Sequence, residues 1–324
     1  MTVNRLLPLE DVPKSTLADD RGRSYAEFRA TLKPRWWRVA VDLTFGFLML
    51  ALVATLVIEG VREAAEWRLP WIAAGALLFG FWMAYIQLFL HEAAHFNLCP
   101  SRAVNDLLGN ALVGIWVGTD IGQYRRIHWD HHRFLGETSD TERSYFSPLG
   151  WRFVLETLFL VAPLKVMLHR RRALTRGRGA AAPRAAGRYM LVAGVLLHAA
   201  IVALCLWQRQ YELALAWLIG VFSVYPLFGA LRQLLEHRDA SASSAIDYSA
   251  QAHGKVTRSF KGGPIGSFLG GAGFRFHDIH HFDPELSYTN LAAADEFLQH
   301  SVPARAARYQ RRSYAGVMRE LWQR

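Results

Sequence analysis

Apolar residues along this chain gather into long blocks rather than the three-and-four or alternating spacings of a soluble domain. Four blocks approach the ~20 residues needed to cross the hydrocarbon core of a bilayer. They are residues 39–59 (VAVDLTFGFLMLALVATLVIE), 70–90 (PWIAAGALLFGFWMAYIQLFL), 189–207 and 212–231. Only GVREAAEWRL separates the first two and only QRQY the last two, so the spans are predicted to form two helical hairpins. A further block, 151–168, carries Arg152, Glu156, Pro163 and Lys165, and reads as an interfacial or buried helix, as does 103–118. The predicted fold is therefore all-α and integral to a membrane: four transmembrane helices in two hairpins, interfacial helices, and a cytosolic cap rich in histidine. The glycine-rich run 261–274 (KGGPIGSFLGGAGF) lacks the G-K-[ST] ending and strand context of a phosphate loop, and reads as a flexible turn.

Charge supports this topology. The 324 residues include 37 Lys and Arg against 27 Asp and Glu, and lysine occurs only at positions 14, 33, 165, 255 and 261. Basic residues cluster between the apolar blocks: Arg21, Arg23, Arg29, Lys33, Arg35 and Arg38 before the first, and seven arginines in 169–188 between the second and third. The positive-inside rule places both clusters in the cytoplasm, which an even number of spans between them satisfies and a fifth span at 151–168 would not. No nucleic-acid motif accompanies the charge, so no nucleic-acid partner is expected. The polar first 38 residues do not read as a signal peptide, and insertion is expected to rely on the internal segments. The expected organisation is a cytosolic N-terminal region (1–38), a membrane domain bearing the histidines (39–300) and a basic C-terminal tail (301–324). The expected location is a bacterial inner membrane, with both termini and the active site cytoplasmic. Cys99 and Cys205 form no C-x-x-C pair and suggest no disulfide framework.

The thirteen histidines are not scattered. His91 and His95 form H-x-x-x-H at the end of the second block, and His128, His131 and His132 form H-x-x-H-H in RRIHWDHHRFLG. His277, His280 and His281 repeat that pattern in FRFHDIHHFDPE, and His237 stands just after the fourth block. Positions i, i+3 and i+4 share one helix face, so each box can turn its imidazoles in one direction. All nine fall on one predicted side of the membrane. One zinc takes three or four protein ligands, so nine suit two metals with positions left open; imidazole accepts iron, copper or zinc. His169, His253 and His300 read as ordinary surface or hydrogen-bonded residues, and His198, in mid-span, as bonded to another helix.

HEAAH also fits the H-E-x-x-H helix of zinc peptidases, with Glu92 as general base. That reading leaves seven clustered histidines unexplained and lacks a downstream N-x-x-P-x-x-x-x-D pattern, so it stands only as a remote alternative. From about residue 75 to 295 the chain instead resembles the integral-membrane fatty acid desaturase and hydroxylase superfamily. The resemblance rests on HEAAH, YRRIHWDHHRFLG, LRQLLEHR and FHDIHHFDPELSYTNL, in the family's order. It implies a cytosolic diiron centre using O2 as cosubstrate and two external electrons. Carried over residue by residue, the metal ligands are His91, His95, His128, His131, His132, His237, His277, His280 and His281, with no catalytic residue beyond the metal centre. Gln233 stands where relatives carry an Asn that holds a metal-bound water, and the same role is implied for it.

Metal-bound histidines usually donate their other N–H to a carboxylate or carbonyl, which makes Glu92, Asp130, Glu236 and Asp278 candidate supports. Asp140, in GETSDTE, matches the acidic stretch that follows the second box in relatives. Arg125 and Arg126 can meet an acidic headgroup, a carrier or an electron donor, or anchor the interface. The chain has no cysteine set for an iron–sulfur or rubredoxin centre. A separate ferredoxin, rubredoxin or cytochrome with its reductase is the expected electron donor. The implied activity is desaturation of a fatty acyl lipid; hydroxylation or ketolation of a lipid, carotenoid or other hydrophobic substrate is the alternative, since the boxes are similar for both outcomes.

Overall fold

The computed structural model of the chain describes residues 9–176, 183–243, 245–301 and 311–322. Parts of the arginine-rich connection (177–182) and of the C-terminal tail (302–310 and 323–324) fall outside the described residues. Four helices are long and apolar enough to cross a bilayer: Trp36–Glu63, Ala65–Ala94, Ala186–Trp207 and Tyr211–His237. They coincide with the four predicted blocks and run a few residues beyond them. The second span is the central one, with 56% of its most apolar window buried, against 17% in the third. Small residues let it sit tightly against the fourth. A Cβ added at Gly80 would lie 2.8 Å from the Tyr225 nitrogen, and one at Gly220 would lie 2.9 Å from the Ala76 carbonyl oxygen. Such backbone-to-backbone contact is how helices associate where no water drives them together. The fourth span contains a π-helical turn, Gly220–Val224, just before Pro226. Proline has no N–H to return to the carbonyl four residues earlier, and the helix shifts register there.

The segment 151–168 does not span. It forms two helices, Trp151–Leu158 and Val161–Arg176, broken where Leu160 takes φ +63°. Trp151, Leu155, Phe159 and Leu164 are exposed along it, as an interfacial pair requires. The segment 103–118 buries only one side, with Asn105, Gly109, Val113 and Gly114 inside and Val104, Leu107 and Leu112 exposed. Arg102–Leu108, the π-helical turn Gly109–Gly114 and Ile115–Val117 run inward and end at Gly118, whose φ of +62° reverses the chain. Trp116 lies 5.4 Å, ring to ring, from Phe47, eleven residues into the first span. At about 1.5 Å per residue that is roughly 16 Å below the end of that span. A backbone turn at such depth needs internal partners for its polar groups. His198, in the third span, donates from Nε2 to the Trp116 carbonyl at 2.9 Å, the interhelical bond expected of it.

The ends of the second and fourth spans and all three histidine boxes meet on one side of the spans. The start of the first span joins them, since the Arg35 amide donates to Thr289 Oγ1 beyond the third box. The glycine-rich run is a turn over 270–274 but not throughout. Pro264–Leu269 is a short helix, held because Phe268 stacks on Phe81 of the second span at 4.8 Å. Glycine's special backbone is used only at its edges, where Gly263 and Gly273 take φ of +90° and +77°.

Candidate metal centre

The first box occupies the last turn of the second span, where a helix leaves its final carbonyls unbonded and its dipole negative. Arg125 closes this end. Its Nε donates to Ala94 O and its Nη2 to Ala93 O, both at 2.9 Å, while Nη1 and Nη2 grip Asp106 at 3.0 and 2.5 Å. Asn105 adds a second donor to Ala93 O at 2.9 Å. Phe96, at φ +60°, turns the chain sharply away under the Arg125 guanidinium, 3.7 Å from its ring centroid. His91 and His95 are thus fixed on a capped helix end. Of the roles open to Arg125 and Arg126, contact with a headgroup, carrier or donor or anchoring of the interface, the Arg125 guanidinium is already committed to this helix end, while Arg126 is exposed.

The second box lies on the helix Ile121–Phe134, started by Asp120, whose side chain accepts from the Gln123 amide at 2.9 Å. The third lies on the short helix His277–Phe282, and His237 is the last residue of the fourth span. Three groups of side chains converge, each with ligand atoms within 4.8 Å of one another. The first is His91, His95, His128, His132 and His280; the second His131, His237 and His281; the third Glu236, His237 and His277. Together they contain all nine predicted histidines. Eight of these are buried and His132 is half-buried.

Their nitrogens face one another at short range. The His128 and His132 Nε2 atoms are 3.1 Å apart, as are those of His132 and His280 and those of His277 and His281. Those of His237 and His277 are 2.9 Å apart. On His128, His131 and His237 the other ring nitrogen is taken by an acceptor. His128 Nδ1 meets Glu142 at 3.2 Å, His131 Nδ1 meets Asp140 at 2.9 Å, and His237 Nδ1 meets the Val256 carbonyl at 2.9 Å. Those acceptors place the proton on Nδ1 and leave the Nε2 lone pair pointing at its neighbours. Both ring nitrogens of His91 and His95 are buried without any hydrogen bond. A cation within the array would accept these lone pairs together. At metal–nitrogen bonds of about 2.1 Å, ligands at right angles lie roughly 3.0 Å apart and tetrahedral ones roughly 3.4 Å. The observed separations match right-angled pairs, so the donor set fits metal ions of higher coordination number.

Burial favours the neutral form at most of these imidazoles. Burial holds His95, His128, His132, His277, His280 and His281 below the usual imidazole range. His131 differs: burial opposes its charge, but the Asp140 and Glu142 carboxylates outweigh this and push it up to about 9. Asp140 is completely buried and gathers several donors besides His131. Tyr145 Oη donates to it, with the Glu142 amide at 2.8 Å and the Gly136 amide at 3.3 Å. Glu142 is held well below the usual carboxylate range: burial raises it, and the bond to His128 with the nearby His131 and Arg170 charges more than reverse this.

The fatty acid desaturase family profile matches residues 67–313, about three quarters of the chain. The chain belongs to the fatty acid desaturase family. Two curated relatives, Beta-carotene 4-ketolase 3 and Beta-carotene ketolase of Haematococcus lacustris, are each 38% identical over 56 residues, 16% of this chain. The match spans only 18% of the length of either relative.

Within this desaturase-family chain, the carboxylates predicted to support the histidines divide. Glu92 is buried 3.5 Å from His91 Nδ1 and accepts from the Tyr288 amide. Glu236 lies 3.5 Å from His277 Nε2 and accepts from Arg232 Nε at 2.8 Å. Asp278 turns the other way, accepting from Ser259 Oγ and the Ile279 amide. Among the described residues, no hydrogen bond or ion pair joins Asp130 to a histidine. Gln233 donates from Nε2 to Glu142 at 2.5 Å, so it reaches the centre through the carboxylate that holds His128. Glu142 was not singled out in the sequence. The signal was present in GETSDTE, whose two last acids both face histidines. His169 bonds Arg143 and the Asp140 carbonyl, His253 accepts from the Asp239 amide, and His300 pairs with Asp20 at the surface.

Proposed function

We propose that this chain is a membrane-bound, O2-dependent diiron oxidoreductase that desaturates the acyl chain of a lipid. The observation that carries the reading is the set of nine convergent imidazoles, six of which bring their Nε2 atoms within 2.9–3.1 Å of a neighbour's. His91, His95, His128, His132 and His280 would hold one iron, and His131, His237, His277 and His281 the other. With O2 and two electrons, the bound pair supplies an oxidant able to remove hydrogen from an unactivated C–H bond. The protein's part is positional. Asp140, Glu142 and the Val256 carbonyl fix ring orientation, and the capped end of the second span holds the first box. By the positive-inside rule this side is the cytoplasmic one, where a separate electron donor would dock. A cavity of about 400 Å³ lined by Trp129, His132, Arg133 and His281 opens there and gives access to the centre from water.

A second reading is oxygen insertion, as in a hydroxylase or ketolase, favoured by the two ketolase relatives. Expression in a host lacking the activity, followed by mass spectrometry of total lipids and pigments, separates the two. Loss of two hydrogens supports desaturation and gain of oxygen supports insertion. A product profile unchanged between the wild type and His281→Ala overturns both.

A further inference from the structure

Residues 9–35 lie across the face of the third histidine box, pinned at Asp283, just after the helix His277–Phe282. Asp283 accepts from Tyr25 Oη at 2.7 Å and Arg29 Nε at 2.9 Å, and Lys14 Nζ lies 3.5 Å away. The Tyr25 ring packs edge-on against Phe282 at 5.2 Å, Phe28 stacks on Phe297 at 4.4 Å, and Leu9, Val12 and Leu17 are buried. This packing brings one carboxylate to the histidines. Glu10 Oε2 is 3.9 Å from His281 Nδ1, and Glu10 Oε1 is buried with no hydrogen-bond partner. Burying a carboxylate oxygen unpaired is costly, so packing alone does not account for its place.

We propose that Glu10 is a positioning residue for His281. The N-terminal segment supplies the acceptor that holds the His281 Nδ1–H and keeps Nε2, 3.1 Å from that of His277, aimed at the metal. The proposal rests on the reading of the nine histidines as ligands of two metals. It follows the pattern of the other rings: Glu142 serves His128, Asp140 serves His131 and the Val256 carbonyl serves His237, each on Nδ1. Among the described residues, Glu10 is the only carboxylate that faces the Nδ1 of His281. Its neighbour Asp11 is occupied by Lys255 at 3.2 Å, which leaves Glu10 to the imidazole. About 0.7–1.2 Å of side-chain movement closes this 3.9 Å gap to a hydrogen bond of about 2.7–3.2 Å. The segment also forms one wall of the cavity beside His132 and His281, so loss of the contact would open His281 to water.

The test uses the full chain purified in detergent, stripped of metal and titrated with Co²⁺ alone, read by bound metal per chain and by the visible absorption of each site. Wild type is expected to bind two Co²⁺. In Glu10→Ala, one of the two should bind roughly 10-fold more weakly with an altered absorption band, the usual size of effect when a ligand loses its supporting partner. Glu10→Gln keeps an acceptor oxygen without the charge and should fall between the two. Asp283→Asn, which frees the segment without touching Glu10, should weaken the same site. The last two carry the test if the alanine variant does not fold. Wild-type titrations and spectra in every folded variant overturn the role of Glu10 while leaving the metal centre standing. Fewer than two Co²⁺ bound by the wild type overturns the two-metal reading, and the Glu10 proposal with it.

Discussion

Arg125→Met removes a guanidinium while keeping most of an apolar stem beneath Phe96. In the structure Ala93 O keeps a second donor, Asn105 Nδ2 at 2.9 Å, whereas Ala94 O loses the one side chain that bonds it. A hydrogen bond to a charged group contributes about 1.5–3 kcal/mol. The contact with Phe96, 3.7 Å from its ring centroid, adds roughly 0.5–1 kcal/mol. The bidentate pair with Asp106 adds little, because that carboxylate is 37% exposed and screened by water. The expected loss is about 3 kcal/mol, concentrated on the turn that carries His91 and His95. For a chain of this length such a loss lowers the thermal midpoint by about 4 °C. Thermal unfolding in detergent, with metal per chain measured in parallel, should show Arg125→Met unfolding earlier and retaining less metal. Arg125→Lys restores charge at the helix end but cannot bridge two carbonyls and a carboxylate, and should recover only part of the loss. Arg126→Met, at an exposed position, is the control. If Arg125→Met matches Arg126→Met in midpoint and metal content, the capping argument is wrong. If it instead raises KM alone, the guanidinium serves a substrate headgroup.

Two further outcomes follow from buried polar contacts. Asp140→Asn cannot accept from His131, Tyr145, Gly136 and Glu142 together. It should weaken one metal by roughly 10–100-fold, measured by the rate of metal loss to a chelator; unchanged loss would show that Asp140 is structural only. His198→Phe removes the donor that satisfies the Trp116 carbonyl deep in the re-entrant segment. It should cost about 1–3 kcal/mol in detergent unfolding while leaving metal per chain unchanged, and a fall in metal content would mean that this segment sets the histidine geometry.

The spans and the nine histidines were legible in the sequence because each is a local signal. Apolar length identifies a span, and i, i+3, i+4 spacing puts the histidines of a box on one helical face. The carboxylates were less legible for a geometric reason. A residue next to a ligand on a helix points about 100° away from it, so Asp130 and Asp278, chosen for adjacency, do not reach the histidines. Glu236 does reach one, but it is His277 from a distant box rather than its neighbour His237. Asp140 and Glu142 arrive from the loop after the second box, and Glu10 from a segment about 270 residues before His281 in the chain. The Glu10 contact is made by the tertiary fold and nothing in local spacing announces it, whereas the acidic stretch GETSDTE did point to Asp140. The helix within the glycine-rich run was hidden for a related reason. Phe268 finds Phe81 on another helix, and that stacking stabilises a short helix where composition alone pointed to a turn.

The most direct test of the account is iron stoichiometry and pairing in the purified full chain. Loaded anaerobically with ferrous iron and followed by Mössbauer spectroscopy, the protein should bind two irons per chain. On exposure to oxygen both should oxidise together into a magnetically coupled pair, and His281→Ala should abolish that coupling. One iron per chain, or two that oxidise independently and are indifferent to His281→Ala, would contradict a shared nine-histidine centre.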